Sequence, residues 1–404
     1  MARSNRDQTL SEQLARGPID LPFLLLTVLL TIIGLIMVLS ASSPSAYYDA
    51  RGTGNNPAYY FIRQAGFAAA GIVAMYIISK MNYQTFRWIS IFVLGVSIIL
   101  LLMVFLPGIG VTRNGARRWI EIGPLSFQPS ETAKVGIVLY FASRLSKRDG
   151  YVFKPKAEIG ILERGYNFLG RIGFIELVPY GIVLVIVCGL MSEQPHLSGI
   201  IIIMVIAAAI LFSSGIQLRW FVFAGVLVGV ALAIYILSTP YMLERITSAS
   251  DPWDDPGDTG YQLTQSMMAI GSGGLTGVGL GQSRQKFMFL PERHNDFIFS
   301  IICEELGMVG ACVIIILFML LFLRGYWIAL HARDRFGSLL AVGVISQLAM
   351  QVFFNIGVVT GLLPTTGISL PFFSYGGTAL MVQLAEMGII LSVSRQMPPR
   401  RNAE

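Results

Sequence analysis

LPFLLLTVLLTIIGLIMVLSA (residues 21–41) decides the class of this protein. The run carries no charge, and a helix needs about 20 apolar residues to cross a hydrocarbon core. It is too long for a signal-peptide core of about 7–15 residues, so it reads as a retained membrane helix. The rest of the chain has the same character. Of 404 residues, 54% are hydrophobic and 13% charged, with a mean hydropathy of +0.67. A soluble domain carries about 25% charged residues. A deficit spread over the whole chain means a polytopic membrane protein. The net charge of +6 then belongs to basic loops and does not call for nucleic acid.

Windows of about 20 residues mark ten spans: 21–41, 60–79, 88–106, 130–146, 174–192, 197–214, 218–238, 297–323, 337–360 and 376–395. The expected fold is all-α, with ten transmembrane helices and both termini in the cytoplasm. With the N-terminus inside, Lys and Arg favour the inside by roughly two to one. The single membrane domain, residues 1–404, divides into a cytoplasmic tail (1–20), a cytoplasmic loop (147–173), a large extracytoplasmic loop between helices 7 and 8 (239–296) and a cytoplasmic tail (396–404). A loop as long as 239–296 is commonly functional. No internal repeat suggests an inverted-repeat transporter. Cys188, Cys303 and Cys312 lie in apolar runs, and Cys303 and Cys312 stand on opposite faces of one helix, about 13 Å apart. His196, His294 and His331 show no metal-ligand spacing with cysteine.

The charges that break these rules are the informative ones. ERHNDFIFSIICEELG (292–307) places Asp296 at the start of an apolar helix and Glu304 and Glu305 about two turns inside it. Asp296 suits a helix N-cap and equally a general base at the outer surface. Intramembrane carboxylates face a bundle interior and pair, so Glu304 and Glu305 are candidates for a bracing network. Lys134 is the basic residue within a span, with Glu131 one turn before it. GARRWI (115–120) sets Arg117 and Arg118 beside a Trp, which suits either lipid headgroups or a phosphate held by guanidinium forks. GSGGLTGVGLGQSRQK (271–286) has six glycines between Gly271 and Gly281. They allow close backbone approach to a helix or to a ligand, and Arg284 and Lys286 follow as candidate pyrophosphate contacts. SDPWDDPGDTGYQ (250–262) holds Asp251, Asp254, Asp255 and Asp258, oxygen ligands a divalent cation could use. LPTTGISLPFFSYGGTAL (363–380) breaks helix at Pro364 and Pro371, and irregular backbone at membrane depth must line a cavity or be buried in protein.

Three blocks carry a resemblance: GARRWIEIGPLSFQPSETAK, the stretch from ERITSASDPWDD through LPERHNDFIFSIICEELG, and NIGVVTGLLPTTGISLPFFSYGGTAL. In this order they resemble the SEDS family (shape, elongation, division and sporulation), whose members include RodA, FtsW and SpoVE. HND before FIF leans toward the FtsW and SpoVE branch. The resemblance covers the chain from first span to last. It implies a ten-span peptidoglycan glycosyltransferase that polymerises lipid II at the outer face of the bacterial cytoplasmic membrane. It also implies a class B penicillin-binding protein as transpeptidase partner, among other divisome or elongasome proteins. By motif, the family's essential outer-loop aspartate matches Asp296, the Arg before Trp matches Arg118, and the Lys after QPSE matches Lys134. One departure is QPHLSG, with His196 where many members have Asp.

Such a transfer must deprotonate an acceptor hydroxyl, neutralise a leaving pyrophosphate and admit a lipid tail. Asp296 supplies the base. Arg117, Arg118, Lys134, Arg284 and Lys286 supply positive charge, with a divalent cation (Mg or Mn) left open. Glu131, Glu304 and Ser374 support the site from beneath. The expected chemistry is direct, inverting displacement. The competing readings are a lipid II flippase and a non-catalytic scaffold.

Overall fold

The computed structural model describes residues 17–50, 52–113, 116–123, 125–147, 167, 170, 173–238, 251–257 and 260–397. The tail segments 1–16 and 398–404, most of the 147–173 loop and residues 239–250 lie outside the described residues. Eleven helices are described. They are α1 (Leu21–Tyr48), α2 (Tyr59–Lys80), α3 (Gln84–Met103), α4 (Pro129–Leu145), α5 (Phe174–Ser192), α6 (Leu197–Ser213), α7 (Leu218–Ser238), α8 (Tyr261–Gly273), α9 (Ile298–Leu330), α10 (Arg335–Val359) and α11 (Gly377–Ser394). Seven of them are long and apolar enough to cross a membrane: α1, α2, α3, α5, α9, α10 and α11. This is a multi-pass membrane fold.

Three helices make the middle. Most of α4 is buried, and two-thirds of the apolar windows of α10 and α11 are buried. A helix walled by protein can carry polar groups that lipid would reject, which is why Glu131 and Lys134 sit on α4. By contrast, α7 exposes Val222, Phe223, Val226, Val230 and Leu237, as a helix does when lipid is its solvent.

Two elements correct the sequence reading. The chain is not wholly helical: residues 110–127 form an antiparallel sheet in the order β1 (Gly110–Arg113), β2 (Ala116–Ile122), β3 (Leu125–Phe127). Its register pairs Val111 with Trp119 and Ile120 with Phe127, with an irregularity between Val111 and Thr112. The long loop before α9 also contains a helix, α8, which Ser266 fastens to Ser300 Oγ and Val359 O, both at 2.7 Å.

The run EELG contains a break. Gly307 has φ 66° and ψ −171° inside α9, so the helix is two pieces with a kink between them. The glycine-rich segment fills the break: Val278 and Gly279 donate to the carbonyls of Glu304 and Glu305 at 3.0 and 3.1 Å, and Met308 and Val309 donate to Gly274 and Leu275. A Cβ on Gly307 would stand 2.3 Å from Gly277 N, and one on Gly277 2.2 Å from Glu305 O. Of the two readings of these glycines, close approach to a helix is the one realised here.

Candidate active site

The expected site residues fall into three groups near the Asp296 end of the helices. The first surrounds Asp296. The N-cap of α9 is Phe297, so Asp296 stands one residue before the cap, still at the positive end of the helix dipole. It is half-buried. Its backbone is pinned: Asn355 Nδ2 donates to Asp296 O and Ile368 O, both at 2.7 Å. Ser374 Oγ donates to Asn295 O and accepts from Leu370 N, both at 2.7 Å. Tyr375 N donates to His294 O at 2.8 Å. The loop from α10 to α11 therefore clasps residues 294–296. Gly367, at φ +68°, faces the carboxylate, where an added Cβ would lie 3.3 Å from Oδ2.

Tyr375 of this clasp also lines a cavity of about 320 Å³, whose walls include Asp49, Tyr60, Arg63, Glu121 and Ser126. Tyr60, Tyr375 and His294 pack ring on ring, with Tyr60 4.9 Å from each of the other two. Burial, with Arg293 beside it, lowers the His294 pKa to about 4, so the ring is neutral at physiological pH. Thr378 ties the sheet to α11 through Ser126 O at 2.9 Å. A larger apolar groove of about 720 Å³, lined by Leu26, Leu320, Arg324 and Trp327, lies at the opposite end of α1 and α9 and gathers no such polar groups.

The second group is Arg118, Lys134, Glu131 and His196. Arg118 Nε donates to Gln194 O at 3.0 Å, and its Nη2 donates to Pro195 O. Lys134 pairs with Glu131 at 2.9 Å and is 3% exposed. His196 is buried as well. Burial first, then the charges of Arg118 and Lys134, lower its pKa to about 3. Arg117 turns the other way: it donates to Gly110 O, Phe105 O and Leu106 O and fastens the sheet to the end of α3.

The third group answers for the buried glutamates. Glu304 accepts from Ser283 Oγ and from Arg284 N at 2.8 Å. Glu305 accepts from Ser40 Oγ at 2.6–2.7 Å and pairs with Lys286 Nζ at 2.9 Å. Glu304, Glu305 and Lys286 are at most 2% exposed. These carboxylates hold the 283–286 turn and α1 against α9. The charge of Lys286 is directed at Glu305, while Arg284 is exposed. Among the described residues no three His, Cys, Asp or Glu gather as a metal site. Asp258 lies outside the described residues.

The family model described as "Cell cycle protein", FtsW/RodA/SpoVE, matches residues 21–398. The chain belongs to this family. It is 42% identical over 376 residues to stage V sporulation protein E of Bacillus subtilis, covering 93% of this chain and 97% of that protein. It is 38% identical over 382 residues to a probable peptidoglycan glycosyltransferase FtsW of Geobacter metallireducens, covering 94% and 95%. Among solved structures it is similar to a chain of the one described as "Structural coordination of polymerization and crosslinking by a peptidoglycan synthase complex", with TM-score 0.72, 26% identity and coverage of 93% and 98%. It is also similar to the rod shape determining protein RodA of Thermus thermophilus, with TM-score 0.64, 27% identity and coverage of 94% and 97%.

Within this family frame, several residues of the site escape a reading by motif. Asn355 lies in an apolar span, and its two carbonyl partners come from segments far apart in sequence. Gln64 accepts from Gly376 N and donates to Ser374 O at 3.1 Å. Glu386 and Gln347 are buried in α11 and α10. A carboxylate and three amides in spans 337–360 and 376–395 were the available signal: Glu386, Gln347, Gln351 and Gln383.

Proposed function

We propose that the chain is a peptidoglycan glycosyltransferase that polymerises lipid II at the outer face of the bacterial cytoplasmic membrane. The observation that carries this is the clasp around Asp296: α10 and the α10–α11 loop pin the backbone of a half-buried aspartate, and Tyr375 of the same clasp lines a polar cavity. Such a group can take the acceptor hydroxyl's proton, a role worth about 10²–10⁴-fold in rate. Relatives named as probable peptidoglycan glycosyltransferases, at 38% identity, support the same reading.

In this reading α4, α6 and α7 also cross, while α8 stays in the outer loop, giving ten spans with both termini inside. The tails and the 147–173 loop are then cytoplasmic, and 239–296 is extracytoplasmic. Asp296 is the base. Arg118, Lys134 and Arg284 face the leaving pyrophosphate. Arg117 and Lys286 brace, together with Glu131, Glu304 and Ser374. Transfer is a direct displacement with inversion, in which the positive charge of the residues named acts on the leaving group. The partner is a class B penicillin-binding protein, in keeping with the synthase complex this fold resembles. Higher identity to the SpoVE and FtsW relatives than to RodA favours a division or sporulation role.

The test is polymerisation of labelled lipid II by the purified chain with its transpeptidase partner. Wild type is expected to make glycan polymer, and Asp296→Asn, folded and partner-bound, to make none. Equal polymer from both would remove Asp296 from the chemistry. No polymer from either, with lipid II crossing liposomes, would make the protein a flippase.

A further inference from the structure

Arg293 takes no part in the chemistry above. It immediately precedes the clasped residues, and three residues of chain put its Cα within about 11 Å of that of Asp296. The clasp satisfies the main chain here: the carbonyls of His294, Asn295 and Asp296 each accept a hydrogen bond. The side chains are left incomplete. Arg293 Nε, His294 Nδ1 and Asn295 Oδ1 are buried and have no partner among the described residues. Buried polar atoms are ordinarily paired, so a bare set beside a candidate base points to a ligand.

Arg293 is the extreme case. It is 7% exposed, so its charge is largely desolvated. Its Nη1 donates to Leu290 O at a long 3.3 Å, and its Nη2 donates to the Met288 sulfur at 3.0 Å. A thioether is a weak acceptor. The neighbouring carboxylate, Glu292, turns an oxygen to Asn295 Nδ2 at 2.6 Å instead. A buried charge without a counter-ion is strongly unfavourable. The backbone that keeps it there is strained as well. Met288 and Glu292 have φ of 73° and 50°, the left-handed region that bulky residues rarely adopt and that clusters at ligand sites.

The cover over the guanidinium is a surface side chain. Met288 is 63% exposed, and its unbranched thioether can swing aside. Phe287 and Phe289 on either side are also exposed. The turn beneath them is fixed, because Leu290 is wholly buried and Tyr261 Oη donates to Phe289 O at 2.8 Å. An exposed apolar shelf beside a buried cation suits a ligand that joins a hydrocarbon chain to an anion. Two of the cations expected to meet that anion are engaged elsewhere, Arg117 with three carbonyls and Lys286 with Glu305.

We propose that Arg293 is a substrate-contacting residue: its guanidinium receives a phosphate oxygen at the isoprenoid diphosphate end of lipid II, displacing the Met288 sulfur, while the first isoprene units lie on Phe287 and Phe289. The identity of the substrate rests on the polymerase reading above. The preference for an anion on a hydrocarbon chain rests on the residues themselves.

The test begins with unfolding of the purified full chain in lipid-free detergent, with farnesyl pyrophosphate as a soluble isoprenoid diphosphate. The probe is expected to raise Tm of the wild type, by more than inorganic pyrophosphate does, and most of that shift should be lost in Arg293→Met. An equal shift in Arg293→Met overturns the proposal. So does an equal, Arg293-dependent shift from phosphatidylglycerol, which would make this a general headgroup site. Without ligand, Arg293→Met should melt no lower than the wild type, since it removes a buried charge that lacks a counter-ion. A clearly lower Tm would make the guanidinium a structural support and overturn the assignment.

Polymerisation of lipid II with the transpeptidase partner is the second readout. Arg293→Met is expected to lower kcat about a hundredfold, the scale of losing one transition-state charge stabiliser. Arg293→Lys keeps the charge without the fork and should fall between. A wild-type rate in Arg293→Met overturns the proposal. A wild type that makes no glycan, yet is stabilised by farnesyl pyrophosphate through Arg293, removes the polymerase reading and leaves the site standing.

Discussion

Asp296 and the Glu304–Glu305 pair stand eight residues apart at one end of α9, yet they are treated in opposite ways. The glutamates are sealed. Their oxygens take donors from Ser40, Ser283, Arg284 and Lys286, and almost none of their surface is exposed. At Asp296 it is the backbone that is fixed, by Asn355, while the side chain stays half-open against Gly367. A saturated carboxylate is a structural fastener, because each bond it makes must be broken before it can take a proton. A carboxylate whose main chain is held and whose side chain keeps a partly exposed face can exchange protons without disturbing the fold.

The contrast can be broken most directly at Asp296. Asp296→Asn is expected to lower polymerisation by about 10²–10⁴-fold with unfolding unchanged, read from glycan product and a melting curve on the same sample. At the fastener the effects reverse. Glu305→Gln strands Lys286 in the interior and should cost about 3–5 kcal/mol of stability, most of it recovered in Lys286→Met/Glu305→Leu. If that double variant melts as low as the single one, the pair is more than a fastener. Asn355→Ala sits between the two cases. It leaves two buried carbonyls without their donor, for about 1–3 kcal/mol, and should also slow polymerisation by loosening Asp296.

Acid titration gives a smaller effect. The pKa of His196 is lowered from 6.5 to about 3 and that of His294 from 6.5 to about 4. Between those values and pH 6.5 the unfolded chain binds protons that the folded chain refuses. Stability therefore rises with pH through this window and is complete above it. Comparing melting at pH 5 and pH 7.5, His196→Gln should narrow the difference. The smallest effect is expected at the other end of the helices. There Asp20 pairs with Arg324 at 2.7 Å, but the guanidinium is 29% exposed. Asp20→Asn should cost no more than about 1 kcal/mol and leave polymerisation intact.

The apolar runs were legible because lipid imposes length and composition on each one, and helices occupy all ten of the expected stretches. The sheet was not. Its strands are short, and the pattern of buried Ala116 and Ile120 along ARRWIEI is brief beside the Arg and Trp that drew notice. The kink was hidden for a different reason: EELG sits in a run apolar enough to be read as unbroken helix, and only the partner segment at 274–279 makes the break stable. The site followed the same division. Asp296, Arg118 and Lys134 stand in local motifs and could be named from them. Asn355, Gln64 and Glu386 act across elements that meet only in the folded chain. Arg117 and Lys286 were assigned by charge, which sequence displays, whereas their partners, which sequence conceals, direct them elsewhere.

The break at Gly307 bears on how the protein is made. Exposed carbonyls at residues 304 and 305 would be intolerable in hydrocarbon, and the groups that cover them come from residues 278 and 279. Synthesis runs from the N-terminus, so the covering segment has left the ribosome before the broken helix enters the bilayer. The order of the chain thus supplies the clamp ahead of the defect it closes. A circular permutant that reversed that order would have to insert a helix with its main chain bare.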